Sequence, residues 1–498
     1  MGINGMRSRI TEENKINSIT RGDEKIMKKK IFLRILLTSL SALCLFTGCS
    51  GKTGQTEYGG EEQTPAPETP AVTEQQEAPT PEPTATPVPT ATPEPTPEPT
   101  MEPTPEPTAK EAAQPLTLSK FFAQQWEWDD EVLLALTEYN AVTLLGDDTQ
   151  KFPALAETLE QRKNMAVRSM EDEFDNLLAT AKDELALLGA ESFVTKESTL
   201  DVQIRRADSV AFSILSDSFL VFGNINDRYL NGTTYDTATG EPLMLTDVIK
   251  DMSKIPAIVK KELTSHTWTG DFTSGTAVED YFRDTPEDGI AWTLDYNGVT
   301  FYFGNHDLAE IGRNGRLAAT VSFAEYPELF NEKYMTVPEA YIVELPLKHP
   351  FYTDLDGDGN PEELEVTPVL HESGLFYEFF DIYTDTDAQY YHAEFSADNV
   401  HRTGGYHPYY IKTADGRQYL YVFAEGSELA SNDMELRVID ITGGGFKEAG
   451  DMHIAPGYIP VDCTYALTNP DNMMLENFEL MEETAAYRVG DDGMPVRK

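Results

Sequence analysis

From Pro153 to Leu188, apolar residues return every 3.6 positions or so: Leu155, Leu159, Ala166, Met170, Phe174, Leu177, Leu178, Ala181, Leu185 and Leu188. Charged residues fill the positions between them, so the pattern predicts one long helix with a single buried stripe. Pro153 suits its first turn and Gly189 its end. Beyond the helix the period shortens to that of strands at 201–204, 210–215, 219–222, 299–303 and 319–323, and a second helix fits 255–265. A helix packed on an antiparallel sheet, with another helix inserted late, is an α+β arrangement, and it accounts for residues 117–340. Residues 341–498 read as mostly β. Runs at 340–344, 363–369, 376–383, 409–412, 419–424 and 436–441 are punctuated by Asp415-Gly416 and by Gly443, Gly444 and Gly445. A small open sheet or sandwich is expected there.

The first 116 residues follow a different logic. Lys28, Lys29 and Lys30 precede an apolar run over 31–46, interrupted by Arg34, and then come Thr47, Gly48 and Cys49. This is the order of a secretory signal, and the run is shorter than the roughly 20 residues of a membrane span. A cysteine directly after small residues resembles the bacterial lipobox. The resemblance implies cleavage after residue 48, diacylation of Cys49 and a lipid-anchored protein on the extracellular face of the membrane. Residues 1–26 are read as an upstream extension of the signal. Residues 51–115 hold 16 of the 31 prolines, in Pro/Thr/Glu repeats. Fixed φ angles and like charges make 49–116 an extended linker, with a reach on the order of 200 Å at about 3.1 Å per residue.

Charge narrows the classes of partner. Lys and Arg number 38 against 85 Asp and Glu, a formal net charge of −47. Such a field repels nucleic acid and anionic lipid and favours cations or basic proteins. Of the three cysteines, Cys44 leaves with the signal and Cys49 carries lipid, so Cys463 has no partner for an internal disulfide. A His-Glu-x-x-His motif is absent, and Gly51-Lys52-Thr53 lacks the upstream glycine of a phosphate loop because position 46 is Phe. The expectation is a protein that is not an enzyme.

The sharpest chemical signal is the run Asp354, Asp356, Gly357, Asp358, Gly359, Asn360, Pro361, Glu362. Ca²⁺ takes six to eight oxygens, and alternate carboxylates around a glycine turn supply them from one short loop. Asp354, Asp356 and Asp358 are the expected side-chain ligands, Asn360 a backbone ligand and Glu362 the closing carboxylate. Glu365 would complete an EF-hand spacing, but Pro361 and the strand-like alternation of Leu364, Glu365 and Val366 argue against a following helix. The loop resembles the calcium hairpin of integrin-type repeats. An acidic turn without a metal is the alternative. Farther along, Tyr391, His392, His401, Tyr406, His407 and Tyr409 form an aromatic and histidine-rich stretch that reads either as a sugar or metal surface or as strand packing.

Three segments carry a further resemblance. They run over 235–248 (with Tyr235, Asp236, Gly240, Leu245 and Asp247), 298–309 (with Phe301, Phe303 and Leu308) and 321–329 (with Phe323, Tyr326 and Leu329). In this order, behind a long helix, they are similar to the extracellular domain of the lysozyme-sensing anti-sigma-V factor family. That domain also precedes the catalytic domain of a peptidoglycan deacetylase. The resemblance implies a non-catalytic binding or sensing module at the cell envelope, whose ligand is a glycan or a basic protein such as lysozyme. The chain departs from the family at 222–227, where Phe222, Gly223 and Asn224 replace its usual Gly-Gly-Ala-His. A peptidoglycan hydrolase or deacetylase and a structural wall spacer are the alternative functions.

Overall fold

The computed structural model describes residues 112–222, 225–265, 275–304, 307–308, 317–345, 350–370, 377–384, 390–394, 403–426, 434–459, 463–477, 480 and 482–498. The signal, Cys49, the Pro/Thr/Glu linker as far as residue 111 and His401 lie outside the described residues. Residues 112–498 belong to one compact unit that is mostly β.

The chain opens with a hairpin of β1 (Leu118–Asp129) and β2 (Val132–Leu144). Its two-residue turn places Asp130 at φ 50°, a left-handed conformation that Asp tolerates better than most residues. A short α1 (Asp147–Lys151) leads into the 36-residue α2 (Pro153–Leu188). Next come β3 (Lys196–Ala207), β4 (Ala211–Phe222) and β5 (Ile225–Asp236). The β2–β3 pair is parallel, running from Ala135 opposite Lys196 to Tyr139 opposite Leu200, whereas β1–β2, β3–β4 and β4–β5 are antiparallel. The expected antiparallel sheet is thus a mixed one. A parallel connection needs a crossover, and α2 supplies it.

Leu155, Leu159, Ala166, Met170, Leu177 and Ala181 of α2 are buried as the periodicity requires. The stripe does not continue to the end. Leu185 is only half-buried and Leu188 is exposed, because an element of 36 residues at about 1.5 Å per residue outruns the sheet beneath it.

A second layer follows: α3 (Leu245–Val248), α4 (Ile255–Ser265), α5 (Ala277–Asp284) and a three-stranded antiparallel sheet of β6 (Trp292–Leu294), β7 (Gly298–Phe303) and β8 (Leu317–Ser322). One core gathers Leu245, Val248, Val259, Leu263, Phe301, Phe303, Val321 and Leu329. At Gly232 the β5 backbone passes so close to Trp292 that a Cβ there would lie 1.6 Å from its carbonyl oxygen, which leaves room only for glycine.

The remaining strands build a nine-stranded antiparallel sheet from β9 (Tyr341–Glu344), β10 (Phe351–Thr353), β11 (Glu362–Leu370), β12 (Tyr377–Thr384), β13 (Tyr390–Glu394), β14 (Thr403–Lys412), β15 (Gln418–Gly426), β16 (Met434–Asp440) and β17 (Lys447–Met452). Its two faces bury different clusters. Tyr406, Tyr410, Leu420 and Val422 go to one, while Tyr409, Ile411, Tyr421 and Phe423 meet the strands that follow. Those strands are β18 (Ile454–Pro456), β20 (Met473–Asn477), β21 (Glu482–Val489) and β22 (Pro495–Arg497), a four-stranded sheet that makes the pair a sandwich.

The strand between them, β19 (Cys463–Tyr465), leaves this sandwich and pairs with β1 through Phe121 opposite Cys463. Thr468 then donates from its hydroxyl to the Leu116 carbonyl at 2.6 Å and accepts from the Ile342 N–H at 3.0 Å through its own carbonyl. The C-terminal part of the chain therefore completes the first sheet, and hydrogen bonds bridge the 340/341 boundary.

Candidate metal centre

Antiparallel pairing of Thr353 with Glu362 closes an eight-residue loop between β10 and β11. Asp354 sits at its base, its carboxylate accepting from the N–H groups of Gly357 at 2.7 Å and Gly359 at 3.1 Å. Gly357 and Gly359 adopt φ of 84° and 93°, a region glycine enters without steric cost. Asp356 accepts from Asp358 N–H at 3.0 Å. Glu362, the first residue of β11, reaches back across the loop to accept from Leu355 N–H at 2.6 Å.

These turns bring carboxylate oxygens of Asp354, Asp356 and Glu362 within 4.8 Å of one another. Asp358 turns instead to Asn360, accepting from its N–H at 2.7 Å and from its side-chain amide at 3.1 Å. The loop thus brings together three of the four carboxylates expected as ligands. Glu365 lies on the strand and accepts from the Thr367 hydroxyl at 2.8 Å, apart from the cluster. No helix follows the loop, since residues 362–370 are strand.

The loop is held rigidly from the core side. Leu355 is 1% exposed and packs among Val343, Leu364 and Ile441. Its carbonyl accepts from Gly443 N–H at 3.0 Å and from the Gln418 side-chain amide at 3.2 Å, which also donates to the Asp354 carbonyl at 3.1 Å. Tyr410 fixes that amide by donating to its oxygen at 2.8 Å. Burial, followed by the neighbouring charges of Asp356 and Asp354, pushes the Glu362 carboxyl up to about 7. Three converging carboxylate groups are a donor set that could hold a hard divalent cation.

Among the described residues, the aromatic and histidine-rich stretch does not assemble into one surface. Tyr406 and Tyr409 enter opposite cores. His392 Nδ1 lies 2.8 Å from Asp381 with its ring against Phe379, and Tyr391 donates to Glu448 at 3.0 Å. Cys463 is half-buried and joins no disulfide among the described residues.

A second constellation lies at the junction of the sheets, where the sequence drew no attention. Lys120 on β1 donates to both oxygens of Glu344 on β9, at 2.8 and 3.0 Å, and lies 3.5 Å from Asp201 on β3. Asp201 in turn accepts from the side-chain amides of Asn140 at 2.6 Å and Gln203 at 2.9 Å. Burial opposes the charge on Lys120, but Glu344 and Asp201 outweigh it and hold its pKa above the ordinary value. Asp201 is held below its ordinary value because Lys120 and the two amides overcome its own burial. The signal available in the sequence was a single lysine flanked by Leu118, Phe121 and Phe122, with only Ser119 polar beside it.

The three segments that carried the anti-sigma-V resemblance meet inside the molecule. Leu245, Phe301, Phe303, Leu308 and Leu329 share one core, with Phe323 and Tyr326 packed against it. No protein-family model and no curated protein matches the chain. Among solved structures it is similar to a DUF3298 family member from Bacteroides fragilis, at 11% identity and a TM-score of 0.32 over 44% of this chain and 96% of that one. It is also similar to a DUF3298 family protein from Pseudomonas aeruginosa, at 14% identity and a TM-score of 0.29 over 45% of this chain and 98% of that one.

Proposed function

We propose that this chain is a lipid-anchored protein on the extracellular face of the cell membrane that displays a non-catalytic binding module for an envelope ligand, with one Ca²⁺ holding its C-terminal sandwich in register. The convergence of Asp354, Asp356 and Glu362 carries this reading. Oxygen-only loops of this kind in extracellular modules bind Ca²⁺ with Kd of about 10⁻⁴ to 10⁻³ M, a range suited to millimolar calcium outside the cell. Cys49 is the lipid attachment site, and the Pro/Thr/Glu linker lifts the folded body clear of the bilayer. Asp358, through its carboxylate, and Asn360, through its carbonyl, complete the coordination when the ion draws them in.

The ligand is a glycan or a basic protein, since a net charge of −47 favours cations. Lysozyme is the first protein to try, because of the resemblance at 235–248, 298–309 and 321–329. Calorimetry of the calcium-loaded chain with lysozyme at about 0.01 M and 0.15 M salt, with an unrelated basic protein as control, separates recognition from attraction by charge alone. The Debye length falls from about 30 Å to about 8 Å between these conditions. Saturable binding at the higher salt, absent for the control, supports the reading. Equal, salt-sensitive binding of both proteins rejects lysozyme as a specific ligand. Release or deacetylation of peptidoglycan fragments by the purified chain would replace the binding module with an enzyme.

A further inference from the structure

We propose that two copies of this chain pair through the open edge of β1, from Phe122 to Trp126, as an antiparallel dimer with its two-fold axis at Gln124. β1 lies at one side of the first sheet, and β19 covers its outer edge only from Ser119 to Phe121. β19 itself folds back, since the Ile459 N–H donates to the Cys463 carbonyl at 3.1 Å and Tyr458 bridges to Thr464. Among the described residues, no strand lies along the outer edge of β1 beyond Phe121. A strand edge left in this way offers its row of backbone donors and acceptors to another strand.

The features that blunt such an edge are gathered at one end of it. The β1–β2 register shifts between Glu127 and Trp128, and Glu127, Asp129, Asp130 and Glu131 stand exposed around the hairpin tip. The stretch before them, Phe122-Ala123-Gln124-Gln125-Trp126, carries neither charge nor proline. Phe122 and Trp126 are 43% and 42% exposed and share one face of the strand with Gln124 between them.

This stretch is complementary to itself. Opposite residues of an antiparallel pair share a face, so a two-fold axis must pass between one residue and its own copy. An axis at Gln124 uses the whole stretch from Phe122 to Trp126. Phe122 of each copy then stands opposite Trp126 of the other on one face, and Ala123 opposite Gln125 on the other face. Aromatic pairs are among the favourable cross-strand neighbours. Moving the axis to Gln125 instead sets Glu127 opposite Ala123 and Phe122 against the bulge. Charge selects the same stretch. A chain of net charge −47 repels its own copy, and from Phe122 to Trp126 the paired strands themselves bring no carboxylate together. The contact also closes on itself, so assembly stops at two copies.

The size of the contact sets its strength. An enclosed aromatic side chain buries roughly 150–250 Å², so four partly exposed rings contribute on the order of a few hundred Å². Specific stable complexes bury more than about 1,200 Å². The dimer is therefore weak and reversible, and cross-linking is the means to catch it.

Gln124→Cys in the full chain places one thiol from each copy beside the axis. Ala414→Cys puts the same group in the exposed β14–β15 turn of the nine-stranded sheet as a control for random collision. A short thiol-specific cross-linker is expected to give dimer from the first variant, joined at position 124 of both chains after digestion, and to leave the second at the background of the parent chain's own cysteines. Adding Phe122→Glu to the Gln124→Cys chain is expected to lower the dimer to that background, whereas adding Ala414→Glu, which brings the same charge, leaves it in place. Equal cross-linking at positions 124 and 414 overturns the proposal. So does a dimer joined from position 124 to β5 of the second copy, or one that persists in Phe122→Glu.

Discussion

Arg206 Nε donates to Asp208 Oδ2 at 2.8 Å, and neither side chain is exposed to solvent. The remaining guanidinium nitrogens donate to the carbonyls of Tyr334 at 2.6 Å and Thr336 at 2.7 Å, on the segment that leads into β9. Asp208 Oδ1 caps the start of β4 by accepting from Val210 and Ala211 N–H groups at 2.7 and 3.1 Å. One buried pair therefore ties the end of β3 to the start of the nine-stranded sheet.

Arg206→Ala strips Asp208 of its counter-charge and two buried carbonyls of their donors. Removing one partner of a buried pair costs about 3–5 kcal/mol, so chemical denaturation of this variant is expected to show that loss. A loss under about 1 kcal/mol, the scale of an exposed pair, would mean that the pair is not enclosed as described.

Glu362 sets a pH dependence in the calcium-free protein. Its carboxyl titrates near 7 in the fold against an ordinary value of 4.5. Between those values the folded state binds more protons than the unfolded state, so stability falls as pH rises through this window. Thermal melts in chelator are expected to drop from pH 5 to pH 7.5, and Glu362→Gln to flatten the trend. The same titration makes protons compete with Ca²⁺, so calcium affinity is expected to be weaker at pH 5.5 than at pH 7.5. Pulling in the two directions, these slopes distinguish a titrating ligand from a general acid effect.

Cys49→Ala is expected to abolish fatty-acid labelling and to leave the protein unprocessed or released from the membrane. Two acyl chains at about 0.8 kcal/mol per buried CH₂ anchor stably where one is marginal. Equal labelling of variant and wild type would contradict lipidation at this cysteine.

Much of the fold was legible from local pattern. The α4 boundaries, the buried stripe of α2 as far as Ala181 and the strand after the acidic loop follow from periodicity and turn chemistry. The β1–β2 hairpin was not read. Val132–Leu136 is an unbroken apolar run, and such a run has no period to separate strand from helix. Nor could the sequence show β19 crossing to β1, since Cys463, Thr464 and Tyr465 form three residues of strand whose partner lies more than 300 positions away. At the candidate site, alternate aspartates and glycines announced the loop, whereas the turning of Asp358 toward Asn360 is a matter of side-chain geometry. Lys120, Asp201 and Glu344 are ordinary residues singly, and only the packing of three strands brings them together.

Calcium binding at the β10–β11 loop is the claim on which the functional account rests, and titration calorimetry of the full chain tests it most directly. The account predicts one Ca²⁺ per chain with Kd of about 10⁻⁴ to 10⁻³ M, and its loss in Asp356→Ala. It also predicts that a hundredfold excess of calcium over Kd stabilises wild type by about 2.7 kcal/mol and leaves the variant unchanged. Wild type that gives no binding heat at millimolar calcium and melts at the same temperature in calcium and in chelator would contradict it.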